Sequence, residues 1–341
     1  MNTYDLSLVV PSYNSAPWLP STLDSVQASL KGTSLKAEVV IVNDGSTDDT
    51  EDVITSYRTK DDLTIRLVTI PNGGVYEAVR EGALQAASDR LLIVNSRLLV
   101  DPAAFTYLEQ QIKAETVIET RNGHVATDDS VPLVGRFWEV PTHVFWGSYL
   151  RRPIVTEITE SNFDSVPKGT GFLVVERARL LDAYKALGEV NSQFVSDDTR
   201  LLRHIANERP ILLEPGFRAT YRPRTSFQKF LSHARLRGTL FVDSYYGTSA
   251  LRTVALWCIA LSVPLAVATI IISTFTGNWT LPIIALSVFV LLIATLLIIS
   301  MRNSAPMRAV ASFVIYAVPF ALVFWAGVTR GLWLRMRGAT L

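Results

Sequence analysis

Between Leu6 and Leu99 short apolar runs alternate with amphipathic stretches. Leu6–Val10, Val39–Val42, Ile65–Ile70 and Leu91–Val94 are rich in β-branched residues and bounded by polar breaks, the pattern of strands covered on both faces. Between them, apolar residues at helical spacing predict helices near Trp18–Leu30, Thr50–Tyr57 and Val75–Ala87. Strands alternating with helices imply a parallel sheet with right-handed crossovers, so the fold class is α/β. The pattern weakens between Thr120 and Pro167, where Phe137, Trp138, Phe145, Trp146 and Tyr149 cluster. Such aromatics either fill a core or stack on sugar rings. Pro167–Leu180 then reads as a glycine turn, a strand and a helix start, and Asn191–Ile205 as an acidic pair opening another helix.

Farther on, Phe227, Phe230, Leu231 and Ala234 repeat at helical spacing while Lys229, His233 and Arg237 share another face. An apolar stripe beside a basic one predicts a helix in the membrane interface, where His233, Arg235 and Arg237 can meet lipid phosphates or a diphosphate. Three uncharged apolar segments follow, near Val254–Phe275, Leu281–Ser300 and Ala309–Val328, each long enough to cross a bilayer. Arg302 and Arg308 put the second connection in the cytoplasm by the positive-inside rule. Three full crossings would put Arg330, Arg335 and Arg337 outside, against that rule, and Pro319 permits a kinked or re-entrant alternative. The organisation expected is residues 1–225 as an α/β domain, 226–250 as an interfacial segment and 251–341 as a transmembrane region.

Composition agrees, since 49% of the 341 residues are hydrophobic, high for a soluble chain. The formal net charge of +1 gives no reason to expect a nucleic-acid partner. The single cysteine, Cys258, cannot form an internal disulfide and reads as a packing residue. No basic and apolar leader opens the chain, so the α/β domain is expected in the cytoplasm.

Candidate chemistry gathers where predicted strands end, because ligands of open α/β sheets bind outside the carboxyl ends of the strands. The first strand ends at Pro11, Ser12, Tyr13 and Asn14, and the second at Asn43, Asp44, Gly45 and Ser46. Asp44 either hydrogen-bonds its own turn or accepts a ring N–H of a nucleobase. No GxGxxG follows the first strand, which lowers a dinucleotide-binding reading. Gly74 opens the third helix, on which Arg80 either reaches a phosphate or base or is a solvated surface residue.

Together VVPSYN (Val9–Asn14) and IVNDGSTDDT (Ile41–Thr50) resemble the opening of the family 2 glycosyltransferases, which have the GT-A fold. The resemblance implies a nucleotide-sugar donor, an inverting displacement, and an Asp-x-Asp at the end of the fourth strand whose carboxylates hold Mg or Mn. Here that position reads Asn95, Ser96 and Arg97. A guanidinium cannot ligate a metal but binds a diphosphate directly, so either Arg97 replaces the cation or the site has lost its chemistry. Asp101 reads as an N-cap rather than a displaced ligand. Asp197 and Asp198 either cap their helix or, as the resemblance implies, supply the general base, with Asp198 the candidate.

The segment Gly216–Gly247 is similar to the succinoglycan-type membrane glycosyltransferases, whose Gln-x-x-Arg-aromatic pattern closes the donor site; His233, Leu236 and Arg237 stand there instead. The function implied is sugar transfer to a lipid-linked or glycan acceptor for envelope or extracellular polysaccharide. Two alternatives stay open: a catalytically silent nucleotide-sugar-binding homologue or partner subunit, and a polyprenyl-phosphate sugar synthase.

Overall fold

The computed structural model describes residues 3–59, 63–188, 197–223 and 225–337, with Asp197 and Asp198 described in backbone only. The chain forms two compact units, one of Met1–Asp129 with Pro153–Pro223, the other of Ser130–Arg152 with Arg224–Leu341. Residues 130–152, inside the stretch read as α/β domain, thus group with the helical part of the chain.

The first unit opens as the pattern predicts, with β1 (Leu6–Ser12), α1 (Leu19–Leu30), β2 (Ala37–Asp44), α2 (Thr50–Arg58), β3 (Thr64–Ile70), α3 (Val75–Gln85) and β4 (Arg90–Val94). It continues through β5 (Leu98–Val100), α4 (Ala104–Ala114) and β6 (Arg121–Thr127). In the second unit lie α5 (Glu139–Phe145) and α6 (Gly147–Arg151), after which β7 (Thr156–Ile158), β8 (Phe172–Glu176), α7 (Arg177–Leu187), α8 (Asp197–Glu208) and β9 (Ile211–Tyr221) complete the first.

Among the described residues nine strands make one mixed sheet in the order β3-β2-β1-β4-β8-β6-β9-β5, with β7 on β9. The run β3-β2-β1-β4 is parallel, and β8 adds to it antiparallel. Both key strands outlast their apolar runs, because Ser12 pairs with Asn43 and Asp44 with Ile70 in the ladders. Leu8, Val10, Val39, Ile41, Leu92 and Phe105 are fully buried, and the near-parallel rings of Phe172 and Phe217 stack at 4.1 Å. Gly82 lets α3 lie on the sheet, since a Cβ there would come within 2.4 Å of Val9 Cγ1. Arg121 on β6 donates to Glu214 on β9 and to Glu115 at 2.8 Å, and Glu115 also accepts from Arg90 on β4. This buried ion cluster ties the parallel half of the sheet to the mixed half.

The second unit contains α9 (Phe227–Tyr245), α10 (Ala250–Thr276), α11 (Thr280–Arg302) and α12 (Met307–Met336). The last three are long and apolar enough to cross a membrane. Phe137 is fully buried against Phe230, Phe313 and Phe320 at 5.1, 4.9 and 4.5 Å, so this member of the aromatic cluster is core. Phe145, by contrast, is 68% exposed. Cys258 corrects the reading of a packing residue: it lies on the exposed face of α10, where a helix with so little of its surface buried leaves most side chains pointing outward.

Candidate active site

The carboxyl ends of β1, β2 and β4 are joined by short polar side chains. Asn14 sits at φ +48°, in the left-handed region that asparagine tolerates, and its Oδ1 accepts the Thr47 N–H at 2.9 Å. The Asn14 N–H donates to Ser46 Oγ at 3.1 Å, and the Ser15 N–H to Thr50 Oγ1 at 2.8 Å. Asn43 Oδ1 accepts the Ser46 N–H, which closes the β2 turn on itself. Ser15 and Ser96 share a hydroxyl hydrogen bond of 2.9 Å, and Thr22 Oγ1 donates to the Ser96 carbonyl at 2.8 Å. Pro11, at the end of β1, is partly buried, and Tyr13 beside it is 51% exposed.

Asp44 is buried, and it does not bond its own turn. Its Oδ1 accepts the Gly73 N–H at 2.7 Å and its Oδ2 the Gly74 N–H at 2.9 Å, both from the loop between β3 and α3. Asn72 Nδ2 donates to the Asp44 carbonyl at 3.1 Å, and Gly45, at φ +63°, keeps that approach open. A Cβ on Gly45 would lie 2.8 Å from the Asn72 nitrogen. Burial pushes the Asp44 carboxyl above its ordinary pKa, the two glycine donors pull against it, and Glu77 adds to the rise. Each carboxylate oxygen keeps a second lone pair, so a fixed acceptor remains for a ligand N–H.

At the fourth tip Asn95 Oδ1 accepts the Arg97 N–H at 3.0 Å, while the Asn95 N–H donates to the Gly171 carbonyl. The Arg97 guanidinium lies 4.3 Å from the centre of the Trp18 ring, and its Nη1 donates to the Arg222 carbonyl at 3.1 Å. Arg222 lies 5.5 Å from the same ring, anchored by donation to Ser21, to Thr22 Oγ1 and to the Trp18 carbonyl. Two guanidinium groups therefore frame one indole beside the polar tips. Burial lowers the Arg222 pKa from a value so high that the group stays charged at neutral pH.

The profile of glycosyl transferase family 2 matches residues 7–165, which run from β1 past β7. Those residues are a family 2 glycosyltransferase domain. Dolichyl-phosphate beta-glucosyltransferase ALG5A of Trichomonas vaginalis is 36% identical over 115 residues, 32% of this chain and 35% of that protein. Chondroitin synthase of Pasteurella multocida is 30% identical over 136 residues, 39% of this chain and 14% of its own. The match thus spans about a third or less of these relatives' length. The structure of S. aureus TarS 1-349 in complex with UDP aligns over 98% of this chain and 91% of its own, with 17% identity and a TM-score of 0.47. The first unit is an α/β fold, a mixed sheet with a parallel half and flanking helices, the GT-A-like arrangement expected from the sequence.

Within the family 2 domain the residues at the fourth tip do not fit a divalent cation. A guanidinium, a hydroxyl bonded to Ser15 and an amide oxygen already accepting from the backbone offer no carboxylate. Among the described residues no group of three or more His, Cys, Asp or Glu could hold a metal ion.

Asp197 and Asp198 open α8, and their side chains lie outside the described residues. Burial raises the Tyr76 pKa and the charge of Arg200, in the first turn of α8, works against that rise, while α8 itself packs on α7. Farther along, α8 is held by Arg179, which donates to the Ile205 carbonyl at 2.6 Å, and by the 3.0 Å ion pair of Arg203 with Asp164.

Arg80 is a part-exposed cation on α3. It is bound through two hydrogen bonds to Glu77, at 2.6 and 3.1 Å, in a depression of about 610 Å³ that Tyr76, Leu181 and Tyr184 also line. In the second unit, Arg237 Nε donates to His233 Nε2 at 3.3 Å, Arg235 is exposed, and the rings of His233 and Trp138 are 6.2 Å apart. Trp18 and Arg222 escaped the sequence reading as site residues; they are 204 residues apart, and only the Arg-Pro pair beside the last strand hinted at Arg222.

Proposed function

We propose that this chain is an inverting glycosyltransferase that moves a sugar from a nucleotide-sugar donor to a lipid-linked acceptor at the cytoplasmic face of the cytoplasmic membrane, for envelope or extracellular polysaccharide. One observation carries the reading: the tips of β1, β2 and β4 close into a single polar rim that holds a buried carboxylate, Asp44, and a guanidinium pair, Arg97 with Arg222.

In this reading Asp44 accepts a ring N–H of the nucleobase, and Tyr13, Asn14 and Ser46 border the ribose. Arg97 and Arg222 meet the diphosphate in place of a metal. An acceptor hydroxyl oxygen attacks the anomeric carbon from the face opposite the diphosphate, and the bond from that carbon to the β-phosphate oxygen breaks. The electron pair leaves on that oxygen, where guanidinium donors are worth most in the transition state. The acceptor proton passes to the Asp198 carboxylate.

A second reading, transfer to a polyprenyl phosphate, is favoured by the relative named as a dolichyl-phosphate glucosyltransferase. A lipid phosphate is already anionic and needs no base. The test uses the full chain purified in detergent, offered nucleotide sugars with either a lipid-linked glycan or a polyprenyl phosphate. Release of nucleoside diphosphate with the glycan supports the first reading, and release only with the lipid phosphate supports the second. Nucleotide binding without release under any pairing supports a silent homologue, motivated by Asn95, Ser96 and Arg97 at the fourth tip.

A further inference from the structure

All three C-terminal helices have the length and composition of a crossing, yet their contacts give α12 a different course. It runs parallel to α9 along nearly all of that helix. Phe227 and Phe230 meet Tyr316 at 5.7 and 5.8 Å, Thr239 Oγ1 donates to the Gly327 carbonyl at 3.1 Å, and Arg335 lies 4.7 Å over the ring of Tyr246. Glycines permit the approach: a Cβ on Gly327 would stand 2.1 Å from the Arg235 carbonyl, and one on Gly238 would stand 2.4 Å from the Phe324 carbonyl. Since α9 carries Lys229, His233, Arg235, Arg237 and Asp243, it cannot sit in hydrocarbon. A helix laid along it shares its depth.

The two ends of α12 lead to the same place. Its first residue follows the end of α11 after four residues, 303–306. Its last turn lies beside Tyr246, four residues before α10 begins, and Trp325 Nε1 donates to the Ala260 carbonyl in the third turn of α10 at 2.9 Å. If α10 and α11 each cross, the start of α10 and the end of α11 lie on one membrane face, and so do both ends of α12.

Charge agrees. Arg252, Arg302, Arg308, Arg330, Arg335 and Arg337 then share that face, whereas the link between α10 and α11, Phe275–Thr280, carries no charge. We propose that, among the described residues, α10 and α11 alone form a membrane-crossing hairpin, and that α12 is a re-entrant or in-plane helix packed on α9. Together they seat in one phospholipid leaflet through the exposed Val314, Ile315, Val318, Leu322, Leu236 and Phe241. The inference holds whatever reaction the domain performs.

Single cysteines in a full-length Cys258→Ala background test it, with a membrane-impermeant maleimide applied to sealed vesicles of both orientations. Lys36→Cys marks the face of the family 2 domain, Asn278→Cys the tip of the hairpin and Met336→Cys the end of α12. Met336→Cys labelled with Lys36→Cys, and Asn278→Cys only from the opposite side, is the expected result. Labelling of Met336→Cys with Asn278→Cys would establish a third crossing and overturn the proposal. Labelling of all three from one face would show that the hairpin does not cross and would overturn it equally. Phosphatase and green-fluorescent reporters fused after Arg337 read the same side without any cysteine.

Discussion

Arg97 is the residue on which the proposed chemistry turns. Its guanidinium is fixed by Trp18 and the Arg222 carbonyl, so its position does not depend on a bound ligand. Arg97→Ala is expected to lower kcat by about 100-fold or more, the usual loss for one transition-state donor, with the Kd for nucleoside diphosphate rising less. Turnover is expected to persist in EDTA; complete inhibition reversed by manganese would contradict the role given to Arg97. Asp198→Asn is expected to abolish transfer to a hydroxyl acceptor while nucleotide still binds, and activity retained with polyprenyl phosphate would identify that substrate. The pH dependence follows from Asp44. Its carboxyl is raised by burial, so it takes up a proton at higher pH than an exposed aspartate and then loses an acceptor. Nucleoside diphosphate binding, measured by calorimetry, is expected to weaken as pH falls from neutrality toward that raised value, and Asp44→Asn to flatten the profile. Stability runs the other way: a raised folded pKa contributes stability that is present at low pH and lost as pH rises through it. Asp44 was legible in the sequence because it ends an apolar strand. Gly74 was a candidate too, but the bonding of Gly73 and Gly74 to Asp44 was not legible, since nothing local says which loop will bend over that carboxylate.

At the scale of elements, strand–helix alternation from Leu6 to Val94 was legible, while the short β5 and the strand ends were not. Ser12 and Asp44 look like turn residues and yet are held in the ladder by parallel neighbours. The antiparallel return of β8 was also hidden, because its apolar run FLVV reads the same in either direction. Close packing of α3 on the sheet rests on Gly82, and Gly82→Ala is expected to cost about 1–3 kcal/mol in denaturant unfolding, since Val9 lies where the methyl would go. Arg121 makes a second test. Arg121→Met leaves Glu115 and Glu214 buried with less compensation and is expected to cost about 3–5 kcal/mol, whereas replacing the whole cluster by apolar residues should cost far less.

For the whole molecule, length and hydropathy disclosed three helices able to cross a bilayer but could not say which of them do. That depends on side chains far apart in sequence, Phe227 with Tyr316 and Tyr246 with Arg335, which no window of residues contains. The chain is expected to stay with membranes after alkaline carbonate washing and to be released only by detergent; release by carbonate alone would mean that neither α10 nor α11 spans. The bare link from Phe275 to Thr280 has an effect of its own. In the proposed topology the link carried through the lipid during insertion has nothing for a transmembrane voltage to pull on, so biogenesis should proceed as well in de-energised vesicles as in energised ones.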